Sequence, residues 1–166
     1  DIECDLEGEY SNCSILSALF LKNKEHQEIK TRINHIAPNC KSYQRVKNVL
    51  SSGSRGIFQG KIYVKNLAQK TDAYQLSNAL LLKDDAEFNS KPELEIYADD
   101  VKCSHGSTSG SLDDESLHYL MTRGLNREES TKLLIKGFLN DILDFIKSKT
   151  IKKFVEDKLD VQINGY

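Results

Sequence analysis

Between residue 1 and about residue 107 the chain alternates short apolar-polar segments with polar turns, the period-two signature of half-buried strands. Ile29, Thr31 and Ile33 share one face of the segment Ile29 to Asn34, and Phe58, Ile62 and Val64 share one face of Ile57 to Val64. Further strands are predicted at Cys13 to Leu21, Tyr43 to Val49, Tyr74 to Leu82 and Glu93 to Val101, with turn signals at Gly53-Ser54, Lys83-Asp84-Asp85 and Asn89-Ser90. Such a series predicts an all-β body: a sandwich, a barrel or a solenoid. No strict sequence period is visible, which weighs against the solenoid. Leu16 to Leu21 and Ala79 to Leu82 are apolar at consecutive positions, as expected of strands covered on both faces.

After Gly110 the period changes to that of helices. Asp113 is an N-cap candidate for a helix carrying Leu117, Leu120 and Met121 on one face, and Arg123-Gly124 supplies its stop. Asn126 with Glu129 three residues on forms a capping-box pattern for a second helix, in which Leu134, Phe138 and Ile142 make one row and Ile135, Leu139, Leu143 and Ile146 another. Two rows exceed what one neighbour requires, so one row is expected to cover the open end of the β-body and the other to meet a partner. Ile151, Val155 and Leu159 predict a third helix whose thin apolar face makes it mobile or partner-dependent.

With 166 residues the chain has room for one domain with a real core plus a helical appendage. A net charge of -2 with interspersed signs gives no electrostatic footprint for nucleic acid. No apolar run approaches the roughly 20 residues that cross a bilayer, so a soluble protein is expected. Cys4, Cys13, Cys40 and Cys103 are widely spaced and read as reduced thiols, the first three as core residues. No phosphate loop is present. The chain opens in mid-pattern without an initiator Met, so it is expected to be a fragment of a longer protein, with any targeting signal upstream.

The chemistry concentrates at Lys102-Cys103-Ser104-His105-Gly106. Leu94, Ile96 and Ala98 share a strand face, the phase shifts at a bulge or tight turn near Asp99-Asp100, and Val101, Cys103 and His105 then fall on a common side. This predicts a partly shielded Cys103 and a His105 at the rim. A thiol and an imidazole at that spacing admit three readings. They can be ordinary packing residues, half of a metal site that lacks the usual four ligands, or a Cys/His hydrolase still in need of an orienting carboxylate. Gly56 and Gly60 are expected to mark turns or close backbone approach.

Several long blocks of the chain resemble one family in the family's own order. They are Ser54-Arg55-Gly56-Ile57-Phe58-Gln59-Gly60, Ala68-Gln69-Lys70-Thr71-Asp72-Ala73-Tyr74-Gln75, the run Pro92 to Gly106, and Tyr119-Leu120-Met121-Thr122-Arg123-Gly124. The resemblance is to the SufB/SufD family of iron–sulfur cluster assembly scaffolds, on its SufD branch, and runs from about His35 to about Ile146. It implies a mainly β fold, a right-handed parallel β-helix core over residues 1-110, followed by a small α-helical domain over 111-166, with an N-terminal helical region missing here.

The resemblance further implies a non-catalytic scaffold subunit that pairs with SufB through the β-helix and with the ATPase SufC through the C-terminal helices. His105 would be an iron or cluster ligand at the SufB interface and Cys103 a secondary candidate. Leu117, Tyr119, Leu120, Arg123, Leu134 and Phe138 would form the SufC-binding set. No cofactor would stay bound to this chain alone; a transient iron–sulfur cluster would be shared with SufB. The isolated chain could form a homodimer, with neither nucleic acid nor membrane as partner, in a bacterial cytoplasm or a plastid-type organelle. The alternative from a different class is a β-helix enzyme, a hydrolase or carbohydrate-active protein, using Cys103 and His105.

Overall fold

The computed structural model describes residues 1–165. The strands are β1 (Ile2–Leu6), β2 (Asn12–Leu21), β3 (His26–His35), β4 (Lys41–Leu50), β5 (Arg55–Val64), β6 (Asp72–Leu81), β7 (Glu87–Ile96) and β8 (Lys102–Ser111). Odd strands form one parallel sheet in the order β1-β3-β5-β7, and even strands form a second in the order β2-β4-β6-β8. Each odd strand and the even strand after it complete one turn of a coil, so the body is a β-solenoid of four turns.

The repeat that the sequence hides is present in the register, where partners lie 29 to 32 residues apart. What repeats is inward-outward alternation and corner conformation, not residue identity. Tyr10, Asn39 and Lys70 occupy equivalent corners, all in the left-handed region at φ 59 to 60. Each donates its backbone N–H to a carbonyl of the next turn: Pro38, Gln69 and Asp100. The hydrogen-bond ladder therefore runs through the corner and offsets the 1–2 kcal/mol that such a conformation typically costs a non-glycine residue.

The inner faces of the two sheets meet over Ile33, Val46, Leu50, Phe58, Ile62 and Val64, all fully buried. Phe58, Ile62 and Val64 alternate inward as the sequence pattern requires. Gly60, between them, is a close-approach position: a Cβ there would lie 2.2 Å from Gln75 Nε2 and 2.6 Å from Phe58 Cζ. The interior also holds buried polar groups, among them Thr31, His35, Ser42, Gln44, Gln75 and Ser77.

Two predicted boundaries are corrected. Asn89-Ser90 is not a turn but part of β7, where Ser90 faces inward and its hydroxyl sits 2.8 Å from that of Ser77. The strand predicted over Glu93 to Val101 ends at Ile96, and residues 97–101 form the corner into β8. The Ser/Thr/Gly run after His105 is also strand, because β8 continues to Ser111 in register with β6.

Three helices follow: α1 (Asp114–Thr122), α2 (Arg127–Asn140) and α3 (Lys149–Asn164), with a 3-10 segment over Asp141–Phe145. Asp113 caps α1 by accepting the Ser116 N–H at 2.9 Å, and Gly124 takes φ 98 beyond its end. Asn126 and Glu129 form the reciprocal capping box. The second predicted helix does not run unbroken to Ile146; it tightens at Asp141. There the Asp141 carboxylate meets both Arg45 and Lys47 of β4.

The helices do not close the open end of the solenoid, as the two-row pattern had suggested. They lie across the outer face of the even-strand sheet, where Phe20, Val49 and Leu80, in register on β2, β4 and β6, pack with Ile135, Leu139, Leu143, Leu159 and Ile163. Burial of each such side chain contributes about 1.5–3 kcal/mol. This cover explains the consecutive apolar residues of β2 and β6. It also corrects the expectation of a loosely held third helix, since Leu159 and Ile163 anchor α3 in this core while Ile151 stays exposed.

Candidate functional site

β7 and β8 are the last strands of their sheets, and neither has a neighbour on its outer side. One turn earlier the inward positions Gly56, Phe58, Gly60 and Ile62 are buried; their register partners Phe88, Ser90, Pro92 and Leu94 are only half-buried. The last turn thus presents interior surface outward. On β8 the inward positions are Cys103, in register with Ala73, and His105, in register with Gln75. The apolar part of this lip, Phe88, Pro92 and Leu94, lies on β7, while β8 beside it is mostly polar; two unpaired ten-residue edges of this kind are a pairing surface unless something covers them.

The structure separates the two predicted ligands. Cys103 packs with Ile62, Val64, Ala68, Ala73 and Ala98 beside Leu94 and Val101. Burial, and then the Asp72 charge, push its thiol above the ordinary range, which disfavours the thiolate needed by a nucleophile. His105 is exposed and makes no side-chain hydrogen bond to another described residue. Asp99 and Asp100 lie in the 97–101 corner, where the Asp100 N–H donates to Gln69 Oε1 at 2.9 Å and its carbonyl receives the Lys70 N–H; neither carboxylate orients the imidazole. Among the described residues no group of three or more His, Cys, Asp or Glu side chains could hold a metal ion. Donors beyond His105 and Cys103 would have to come from another molecule.

The six helical candidates also divide. Tyr119, Leu120 and Leu134 line a groove of about 560 Å³ between α1 and α2, together with Leu133 and the acidic Asp113 and Glu115. Arg123 lies over the Tyr119 ring at 5.0 Å. Leu117, by contrast, is buried, and Phe138 rests on the shared helix–sheet core with the Lys47 ammonium 4.3 Å from its ring centroid. Leu133 was missed because it belongs to neither apolar row; its exposure on an otherwise patterned helix is the signal that finds it.

Sequence spacing also missed contacts made by the fold. Cys4 and Cys13 hydrogen-bond across the first turn and share a cluster with Cys40, and burial together with that contact raises the Cys13 thiol to about 11. His35 is wholly enclosed, with Nε2 2.9 Å from Ser42 Oγ and Nδ1 3.4 Å from Thr71 Oγ1.

The SufBD core domain model of the SUF FeS cluster assembly system matches residues 1–138. The chain is 36% identical over 160 residues to the iron-sulfur cluster assembly protein SufD of Escherichia coli K12, covering 96% of this chain and 38% of that protein. It is 34% identical over 146 residues to the SufBD family protein slr0076 of Synechocystis, covering 88% and 32%, and 34% identical over 131 residues to the chloroplastic protein ABCI7 of Arabidopsis thaliana, covering 78% and 28%. The chain therefore spans about a third of the length of these relatives. No described helix is long and apolar enough to cross a membrane. The family model over residues 1–138 and these identities show that the chain belongs to the SufBD core family of the SUF iron–sulfur cluster assembly system.

Proposed function

We propose that this chain is the scaffold portion of a SufD-type subunit, non-catalytic in itself, on which an iron–sulfur cluster is assembled jointly with SufB. The observation that carries this reading is the exposure of His105 at an inward position of an unpaired last turn. A neutral imidazole is a good ligand for iron, and one ligand is too few to retain a cluster. A second subunit docking on β7 and β8 would bury the half-exposed lip formed by Phe88, Pro92 and Leu94 and bring further donors to His105. The cluster is cargo, shared across the interface and released. Cys103, half-buried and with its thiol pKa raised by that burial, is a secondary ligand at most.

SufC, the ATPase, docks in this reading in the α1–α2 groove through Tyr119, Leu120, Arg123 and Leu134, while Leu117 is buried and Phe138 packs on the helix–sheet core, so neither is available to it. Because Lys47, Arg45 and Asp141 tie the end of α2 to β4, movement at the groove is passed to the solenoid as a rigid-body shift. The complex works in a bacterial cytoplasm or a plastid-type organelle, in keeping with the bacterial and chloroplastic relatives. Two variants test the account together. His105→Ala lowers cluster assembly in cells and leaves SufC co-purification intact, and Tyr119→Ala does the reverse of the second. Loss of both functions in His105→Ala, or assembly unaffected by it, contradicts the reading.

A further inference from the structure

The lumen of the solenoid carries a row that begins with apolar Ile15 and turns polar on its way to His105. Ile15, Gln44, Gln75 and His105 are successive register partners on β2, β4, β6 and β8, and all take inward positions. Gln44 is fully buried and Gln75 is 2% exposed. Gln44 Oε1 accepts the Thr31 hydroxyl at 2.5 Å, and Gln75 Nε2 donates to the Gly60 carbonyl at 3.0 Å. A carbonyl can only accept, so the second bond fixes the Gln75 amide: nitrogen toward Gly60, oxygen left over.

That oxygen, Gln75 Oε1, is buried and has no partner, and neither has the Gln44 Nε2 one turn back. A buried acceptor left unpaired forfeits its hydration without compensation. The Gln44 N–H, itself without a partner, takes neither of the oxygen's two lone pairs. The adjacent turn on the other side, roughly 4.8 Å along the sheet, carries His105 at the same place in the row.

We infer that Gln75 is a positioning residue for His105, accepting the imidazole N–H so that the opposite ring nitrogen presents its lone pair at the open turn. This rests on the reading of His105 as a ligand and adds to it the source of its tautomer. The bond requires the exposed His105 ring to turn inward toward the buried oxygen. An amide oxygen is a neutral acceptor, so it holds the ring without favouring the imidazolium, as a carboxylate would. The neutral ring with one N–H inward is the form a metal ligand requires.

Nitrogen-15 spectra of the whole chain with labelled histidine, recorded where imidazoles are neutral, test this directly. The His105 signals, assigned by their loss in His105→Ala, are expected to show one fixed tautomer, and Gln75→Met, which fills similar volume without an acceptor, is expected to convert them to the averaged pair of a free imidazole. A wild-type His105 that already shows the averaged pair overturns the inference, and this needs no variant to fold; so does a fixed tautomer that survives in Gln75→Met. In cells, Gln75→Met is expected to lower cluster assembly by about 10- to 100-fold, the usual effect of losing the hydrogen-bond partner of a ligand. If His105→Ala abolishes assembly while Gln75→Met matches wild type, the positioning role fails and the ligand reading stands. If His105→Ala leaves assembly intact, the ligand reading itself fails.

Discussion

Acid should weaken this fold through one enclosed side chain. Desolvation lowers the pKa of His35 from 6.5 to about 4. Its surroundings suit the neutral ring: Thr71 Oγ1 spends its hydrogen on the Ala68 carbonyl at 2.8 Å, so it accepts from Nδ1, and Nε2 is left to accept from Ser42. Since the folded pKa lies below the unfolded one, the unfolded chain binds a proton that the folded chain refuses. Stability is complete above pH 6.5 and is lost progressively as the pH falls toward 4. At 1.36 kcal/mol per unit the loss amounts to roughly 3 kcal/mol. With a urea m-value of about 1–3 kcal/mol/M, the unfolding midpoint drops by at least about 1 M across that window. Urea titrations from pH 4 to 8, on wild type and His35→Gln, separate this effect from carboxylate titration. The variant is expected to be weaker at neutral pH but to lose most of the slope between 6.5 and 4. An equal slope in both proteins would refute the assignment.

Other consequences of the packing are open to the same kind of measurement. Gly60→Ala should cost about 1–3 kcal/mol by forcing Gln75 and Phe58 apart, whereas Gly56→Ala, whose Cβ would meet Leu50 Cδ2 at 3.2 Å, should cost visibly less; equal losses would show that the close approach is absent. Leu139→Ala should cost about 2–5 kcal/mol and lower helical and sheet signals in one transition, because its core belongs to both; separate transitions would mean that the helices are not integral. Asp141→Asn removes the carboxylate from the buried Lys47 and should destabilise by about 1–3 kcal/mol, less than for a fully enclosed pair because Asp141 is partly exposed. An unchanged melting curve would contradict the tie between α2 and β4.

The local signals of this chain were readable because they depend on neighbouring residues alone. Asp113, Gly124, Asn126 and Glu129 act within four residues of themselves, and Phe58, Ile62 and Val64 report their face by alternation. The rim position of His105 and the shielding of Cys103 followed from the phase shift at Asp99-Asp100. The features that escaped depend on partners about 30 residues away. Tyr10, Asn39 and Lys70 share a corner without sharing chemistry, so the repeat leaves no trace in residue identity, and the resemblance to a β-helix family was needed to choose the solenoid. Gln75 gives no sign of lying beside His105, nor Cys4 of meeting Cys13. The two apolar rows of α2 were seen, but which surface they cover is set by Phe20, Val49 and Leu80 on three different strands.

The central claim is that a partner completes the site at the unpaired last turn. Hydrogen–deuterium exchange of the chain with and without SufB measures it most directly. Peptides covering β7 (Glu87–Ile96) and β8 (Lys102–Ser111) should gain protection on SufB addition, with β1, β2 and α3 unchanged. Protection that falls elsewhere and leaves the His105 peptide exchanging as before would contradict it.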